Sequence, residues 1–559
     1  MSAGDSEQTV RDAAALREEL IRRRLAGGRP AAPAGITPVD RTRPLPLSFG
    51  QRQMWFLNRL DPDAVEYLVP QLLRLRGELD TAALAAAVDG LVARHEILRT
   101  RYGLAGEEPV QLIDPAASGT LTTVDLTGLP AAERARLAEE QAHRQAVLPF
   151  DLEHEWPLRA TLFRLAEDDH LFALTLHHIA CDERSQELLT AELAARYAAF
   201  GQGPTAPLPP PALQYADYAA WQREAFRSQP AARKQLHYWK QQLSGIEPLA
   251  LPVDRLRPAV RSTAGSAVRL AVPAEVADRL RALAGEHRTT LFTVLLAAFQ
   301  AQLARWTGGT DITVGTVVNG RTRPELRDLV GYGINTLVLR TRWDGDPAFA
   351  ELLPLVRGTV LDAFDRQDTP FAPLVDELQP ERDLSVTPLF QTAFTLHDAR
   401  IGELALGGIR AERVELPWQV AKFDLALQVA ELADGSLGGQ FEYATALFDA
   451  ATVQRFAGHL TRLLAAVTDR PEAPLSTVEL LDRAESAVVD RPVPGVVSEW
   501  DGRCVHEVFE RQAASTPGAV AVTHEGVPLS YGELNARANR LARRLRELGV
   551  GAESLVGVC

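Results

Sequence analysis

Two adjacent histidines, His177 and His178, followed four residues later by Asp182, are the side chains whose types and spacing suit proton-transfer chemistry. An imidazole with an ordinary pKa near 6.5 takes and returns protons close to neutral pH. The run before them, Leu171-Phe172-Ala173-Leu174-Thr175-Leu176, is almost unbroken apolar sequence, as in a strand buried on both faces. Strand side chains alternate, so a strand that continued through the pair would send one imidazole into the body and the other outward. From Ser185 the spacing of Leu189, Leu193, Tyr197 and Phe200 predicts an amphipathic helix. The pair therefore sits on a strand-to-helix corner, where a scaffold can present a base to a cleft. Taken alone, the two histidines also fit a satisfied core residue beside a surface one. A metal site is the weaker reading, because no third ligand stands at a usual spacing and Cys181 has no cysteine close by.

The elements that must position this corner can be followed along the chain. At 559 residues the sequence is too long for one ordinary core. A net charge of -14 argues against a general nucleic-acid binder, which needs basic surface. Cys181, Cys504 and Cys559 are far apart, as in a reducing cytosol, and neither a signal peptide nor a membrane-spanning run is present, so a cytoplasmic protein is expected. Residues 13 to 25 read as one charged helix, either a frayed tail or a docking helix that finds another polypeptide, and a Gly/Pro/Ala linker closes the segment 1–36. Ser48 and Asp80 are predicted helix caps. The helix that Asp80 caps carries Leu84, Val88, Leu91 and Val92 on one face, and residues 94 to 102, RHEILRTRY, read as the charged C-terminal end of this core helix. The proline-rich stretch 201–213 marks a hinge, after which YADYAAW opens a helical stretch carrying Trp221 and Trp239. A strand near 266–271, a helix over 291–306 and a strand over 312–318 follow. This alternation predicts an α/β protein of two similar lobes, 37–205 and 206–480, then a linker (481–500) and a further unit (501–559) ending in a strand, SLVGVC.

Seven segments in order, SFGQRQMWFL, RHEILRT, the histidine motif, YADYAAW, GYGINTLVLR, RQDTPF and RDLSVTPLFQ, resemble the condensation domain of nonribosomal peptide synthetases. The family's motif is His-His, three residues, Asp-Gly. His177, His178 and Asp182 match it, and Glu183 stands where the family has glycine. The segments VHEVFERQAASTPGAVAV and LSYGEL are similar to the start of an adenylation domain, truncated here.

The resemblance implies a chloramphenicol-acetyltransferase-like fold, two lobes in a V-shaped pseudodimer with the histidines at the cleft between them. It implies amide-bond formation between an upstream carrier-bound acyl or peptidyl thioester and the amine of a downstream carrier-bound aminoacyl group. The upstream carrier would arrive in trans; the chain itself would bind no cofactor and no metal, the 4'-phosphopantetheine arms belonging to the carriers. His178 is the expected base or amine-orienting group, with His177 packed behind it. Asp182 is expected to pair with Arg321 of the other lobe, and Asn335 to support the cleft floor. Glutamate at 183 can point outward, act as a second acid/base, or narrow the donor channel. The rival readings are a modified condensation coupled to a step such as dehydration, an epimerase relative, acyl transfer to a free amine or alcohol, and a noncatalytic platform recruiting tailoring enzymes to a carrier. A heterocyclising relative is excluded by His177, since it would carry aspartate in place of the paired histidines.

Overall fold

The computed structural model describes residues 35–200, 209–378, 383–398, 404, 406–416, 419–490, 503–524, 527–551 and 554–557. The expected docking helix at 13–25 lies outside them. The chain divides into two compact units, one running to Leu481 and one from Asp482 onward.

The first half of the larger unit is built on β1 (Leu45–Pro46), α1 (Phe49–Leu60), β2 (Leu68–Arg76), α2 (Thr81–Arg94), β3 (Thr100–Ala105), β4 (Glu108–Ile113), β5 (Leu121–Asp125), α3 (Ala131–Ala146), β6 (Leu158–Arg164), β7 (Asp169–His177) and α4 (Glu183–Phe200). Ser48 caps α1 in a box with Gln51, and the Asp80 carboxylate caps α2 through the N–H groups of Ala82 and Ala83. Strand β7 is the central one, its edges paired with β2 and β6, and its side chains alternate between two cores, Phe172 and Leu176 in one and Leu171 and Ala173 in the other; hence the apolar run.

The second half carries α5 (Tyr215–Ser228), α6 (Pro230–Gln242), β8 (Gly265–Val272), α7 (Ala274–Glu286), α8 (Leu291–Thr307), β9 (Asp311–Asn319), β10 (Ile334–Arg342), α9 (Phe349–Phe364), α10 (Phe371–Leu378), β11 (Thr392–Asp398), β12 (Arg410–Arg413), β13 (Leu425–Glu431), β14 (Leu437–Ala444) and α11 (Ala450–Asp469). Its six-stranded sheet runs β10-β9-β11-β13-β14-β8, while the first half holds a five-stranded sheet β12-β2-β7-β6-β5. Each sheet has its own buried core, one around Leu84, Leu98, Phe172 and Ile179, the other around Phe299, Phe394 and Phe441. The two-lobed α/β reading therefore holds, with parts of the second half serving the first lobe: β12 completes its sheet by pairing antiparallel with β2, and Tyr215 and Ala219 of α5 enter its core. Helix α8 is buried almost all round, which explains why its sequence is apolar without a polar face.

Three local expectations are corrected. The helix capped by Asp80 does not run on through 94–102: α2 ends at Arg94, Glu96–Arg99 is a single 3₁₀ turn, and Thr100 starts β3. His95 turns extended there, and its Nε2 meets Glu192 Oε2 on α4 at 2.9 Å, a tertiary contact that outweighs helical continuation. Trp221 and Trp239 lie on two helices, because Pro230 opens α6 afresh. The predicted terminal strand is absent over residues 554–557. The smaller unit contains α12 (Arg483–Val489), α13 (Val505–Ser515), the hairpin β15 (Val520–His524) and β16 (Val527–Ser530), and α14 (Tyr531–Glu547).

Candidate active site

Strand β7 stops at His177, and a 3₁₀ turn of His178–Ala180 carries the chain to α4. The corner is held by backbone: the His178 N–H donates to the Tyr67 carbonyl at 2.8 Å, fixing it beside the start of β2. The two imidazoles part company as the alternation requires. His177 is buried, 3% exposed, and its Nδ1 accepts the Ile179 N–H at 3.0 Å. His178 is only partly buried, and its Nδ1 lies 3.0 Å from the Cys181 carbonyl. A carbonyl can only accept, so Nδ1 bears the hydrogen and Nε2 keeps a free lone pair. Burial pushes both imidazoles down to about 3; the positive charge of Lys422 pushes the same way, and at His178 the Cys181 carbonyl opposes it. Both are neutral at physiological pH.

Asp182 is 1% exposed and its carboxylate is fully engaged. Arg321, just beyond β9 in the other lobe, donates Nη1 to Oδ2 at 2.5 Å and Nη2 to Oδ1 at 2.9 Å. The Ser185 N–H and Oγ–H reach Oδ1 at 2.9 and 2.7 Å, and the Gly333 N–H reaches Oδ2 at 2.8 Å. Arg321 also binds the carbonyls of Leu329 and Gly331. The pair is thus a bidentate cross-lobe anchor with its remaining valences filled. A Cβ on Gly333 would sit 2.5 Å from Arg321 Nη1, so glycine is needed where the backbone passes the guanidinium.

A second cross-lobe bridge runs beside it. The Tyr215 hydroxyl donates to the Tyr332 carbonyl at 2.6 Å and meets Ser48 Oγ at 2.9 Å. The Tyr332 ring is 6.2 Å from that of His178, edge to face. Asn335, on β10, donates Nδ2 to the carbonyls of Gln367 and Thr369 at 2.8 and 2.7 Å and accepts the Phe371 N–H at 3.2 Å. It ties the RQDTPF segment to the sheet. Glu183, the first residue of α4, reaches across the lobes, its Oε1 3.4 Å from His397 Nδ1 on β11, and both side chains are part-exposed. Among the described residues no group of three or more His, Cys, Asp or Glu could hold a metal ion.

Sequence reasoning missed Lys422, Tyr332, Glu66 and Arg261. Tyr332 was signalled by its two flanking glycines, and Lys422 by being the one cation in AKFDLAL, a segment otherwise suited to a buried strand.

Known proteins carry the same architecture. The family model described as "Condensation domain" matches residues 42–489. The chain belongs to the condensation-domain family. An "AMP-binding enzyme" model matches 509–559, the start of an adenylation domain following the condensation domain. One of the linear gramicidin synthase polypeptides of Brevibacillus parabrevis is 44% identical over 532 residues, covering 94% of this chain and 7% of that protein. Across such relatives the chain spans between 7% and 22% of their length. Among solved structures, the complex of the X-domain and OxyB from teicoplanin biosynthesis matches with TM-score 0.73 and 31% identity, over 81% of this chain and 99% of that one. The first condensation domain of the calcium-dependent antibiotic synthetase, in complex with a substrate analogue, shares the fold at TM-score 0.64 and 23% identity, over 79% of this chain and 100% of that one. The condensation domain described here is therefore a nonribosomal peptide synthetase domain, of two chloramphenicol-acetyltransferase-like lobes.

Proposed function

We propose that this condensation domain joins an upstream carrier-bound acyl or peptidyl thioester to the amine of a downstream carrier-bound aminoacyl group, with His178 as the residue that receives the amine. The observation that carries the reading is the fixed tautomer: Nδ1–H on the Cys181 carbonyl leaves Nε2 as a hydrogen-bond acceptor. The amine nitrogen attacks the thioester carbonyl, the C–N bond forms as the C–S bond breaks, and the proton shed by nitrogen ends on the departing thiolate. An imidazole pushed down to about 3 is a weak proton store. It serves best by accepting an N–H hydrogen bond that aims the nitrogen lone pair, and takes the proton only as the bond-forming nitrogen becomes strongly acidic. Positioning both phosphopantetheine arms in one cleft supplies the larger part of the rate. The arms are substrates here, contributed by the carrier partners. His177 shapes the corner behind His178, and Asp182 acts by holding Arg321.

The likeness to the X-domain favours a second reading, a platform that docks a tailoring enzyme without chemistry. One experiment separates them. The protein is mixed with a loaded donor carrier and a loaded acceptor carrier, and the acceptor-bound product is weighed by mass spectrometry. Amide product whose formation falls about 10²-fold or more in His178→Ala supports the first reading. No acceptor-bound product from the wild type, or an unchanged rate in the variant, sinks it. A further loss of water from the product would assign a coupled elimination.

A further inference from the structure

One cation that acts on both imidazoles lies outside the histidine motif. Lys422 precedes β13, with Nζ 5.5 Å from the centroid of the Tyr67 ring. Tyr67 touches both histidines: its carbonyl takes the His178 N–H at 2.8 Å, and its ring lies 6.4 Å from that of His177. The half-buried lysine is held from both lobes. Arg261 Nη1 donates to the carbonyls of Lys422 and Ala421 at 3.0 and 3.3 Å, and the Lys422 N–H donates to Glu442 Oε1 at 3.2 Å. Arg261 Nη2 in turn lies 3.9 Å from Glu66 Oε1 of the first lobe. Glu66 is 5% exposed, and its Oε2 has no hydrogen-bond partner. Its charge and that of Glu442 favour the ammonium of Lys422 against the burial that pulls its pKa down. Toward the imidazoles the field is positive, from Lys422 at both rings and Arg159 at His177.

We infer that Lys422 selects the acceptor amine in its neutral form: an amino group drawn to His178 Nε2 enters a positive field that disfavours its ammonium, so it binds as the nucleophilic free base. The inference rests on the reading proposed above and makes Lys422 a positioning residue, acting through the field rather than by contact. An α-amino group has an ordinary pKa of about 7.7–8.0 and is mostly ammonium at neutral pH, so the selection must release its proton to solvent as the ligand binds. The cost of placing like charges together in a partly desolvated cleft supplies the drive.

Calorimetric titration of the full chain at pH 7 with the amide analogue of alanyl-pantetheine, in buffers of different ionisation enthalpy, counts that proton. The wild type and Lys422→Arg are expected to release close to about one proton per ligand, and Lys422→Met less than half of that. In single turnovers with alanyl-loaded donor and acceptor carriers, Lys422→Met is expected to fall about threefold behind the wild type at pH 6.5 and to close the gap by pH 9, as a one-unit shift of the bound amine from about 6 to about 7 dictates. No proton release by the wild type overturns the inference whatever the variants do. So does a Lys422→Met defect of equal size at every pH, the mark of a purely structural role. Amide formation without proton release sinks this inference alone; absence of both binding and amide sinks the reading beneath it too.

Discussion

Replacing Arg321 by alanine tests whether the two lobes are held at the site by a desolvated ion pair. Asp182 and Arg321 side chains are 1% and 6% exposed and meet through two hydrogen bonds, at 2.5 and 2.9 Å. Removing one member of such a pair strands the other charge in a low-dielectric place, a loss of roughly 3–5 kcal/mol. Asp182 would keep three donors, the Ser185 N–H, the Ser185 hydroxyl and the Gly333 N–H, so the expected loss for Arg321→Ala lies at the low end, about 3 kcal/mol. The double variant Asp182→Ala/Arg321→Ala strands no charge, and the cycle is expected to recover about 2 kcal/mol against the sum of the single losses. Urea unfolding followed by tryptophan fluorescence, with the slope checked for constancy, reads these differences. An Arg321→Ala variant within about 0.5 kcal/mol of the wild type, the range of an ordinary surface change, would refute the reasoning. Strict additivity in the cycle would do so as well.

Two further outcomes follow from the same geometry. His177 is held neutral, its pKa pushed down to about 3 by burial, against about 6.5 in an unfolded chain. The unfolded state therefore binds the extra proton as pH falls, and stability present above pH ~6.5 is lost between there and about 3, at up to about 1.4 kcal/mol per pH unit for this one group; urea midpoints at pH 7, 6 and 5 should fall less steeply in His177→Gln, and parallel slopes contradict the assignment. Gly331 has φ +148°, and a Cβ there would lie 2.0 Å from the Tyr215 ring, so Gly331→Ala should lose about 1–3 kcal/mol, whereas Gly358→Ala, mid-helix with nothing within 4 Å, should be neutral or stabilising, as thermal unfolding of the pair will show.

What the sequence made legible was whatever is written locally. The run ending at His177 is apolar because the two faces of β7 enter two buried cores, and the Ser48 and Asp80 caps act within three residues of themselves. Asp182 with Arg321 was readable only through the resemblance, since 139 residues separate them and neither side chain's neighbours advertise the other. Lys422 showed only as the one cation in AKFDLAL: its meaning lies in the distance to Tyr67 and through it to the histidines, a relation made by the packing of two lobes. The reading of 94–102 as the end of α2 failed for a related reason, because the contact between His95 and Glu192 that ends α2 joins residues 97 apart. Glu183 was left with three possible roles; its 3.4 Å approach to His397 shows a contact across the lobes, which residue type and position do not encode.

The division of labour between the lobes follows from these contacts. The hydrogen bonds at His178 come from the first lobe: the Tyr67 carbonyl holds its backbone and the Cys181 carbonyl its ring. The second lobe alone supplies Lys422, the cation that acts on that ring, and Arg321, the cation that closes the corner behind it. Aim and charge at the candidate site thus come from different halves of the chain. A change in lobe packing that spared every residue of the histidine motif would leave the imidazole correctly oriented yet alter the field an incoming amine meets. Glu66 and Arg261 are where such a change would first register, since their 3.9 Å contact spans the lobes and the arginine grips the backbone of Lys422 itself.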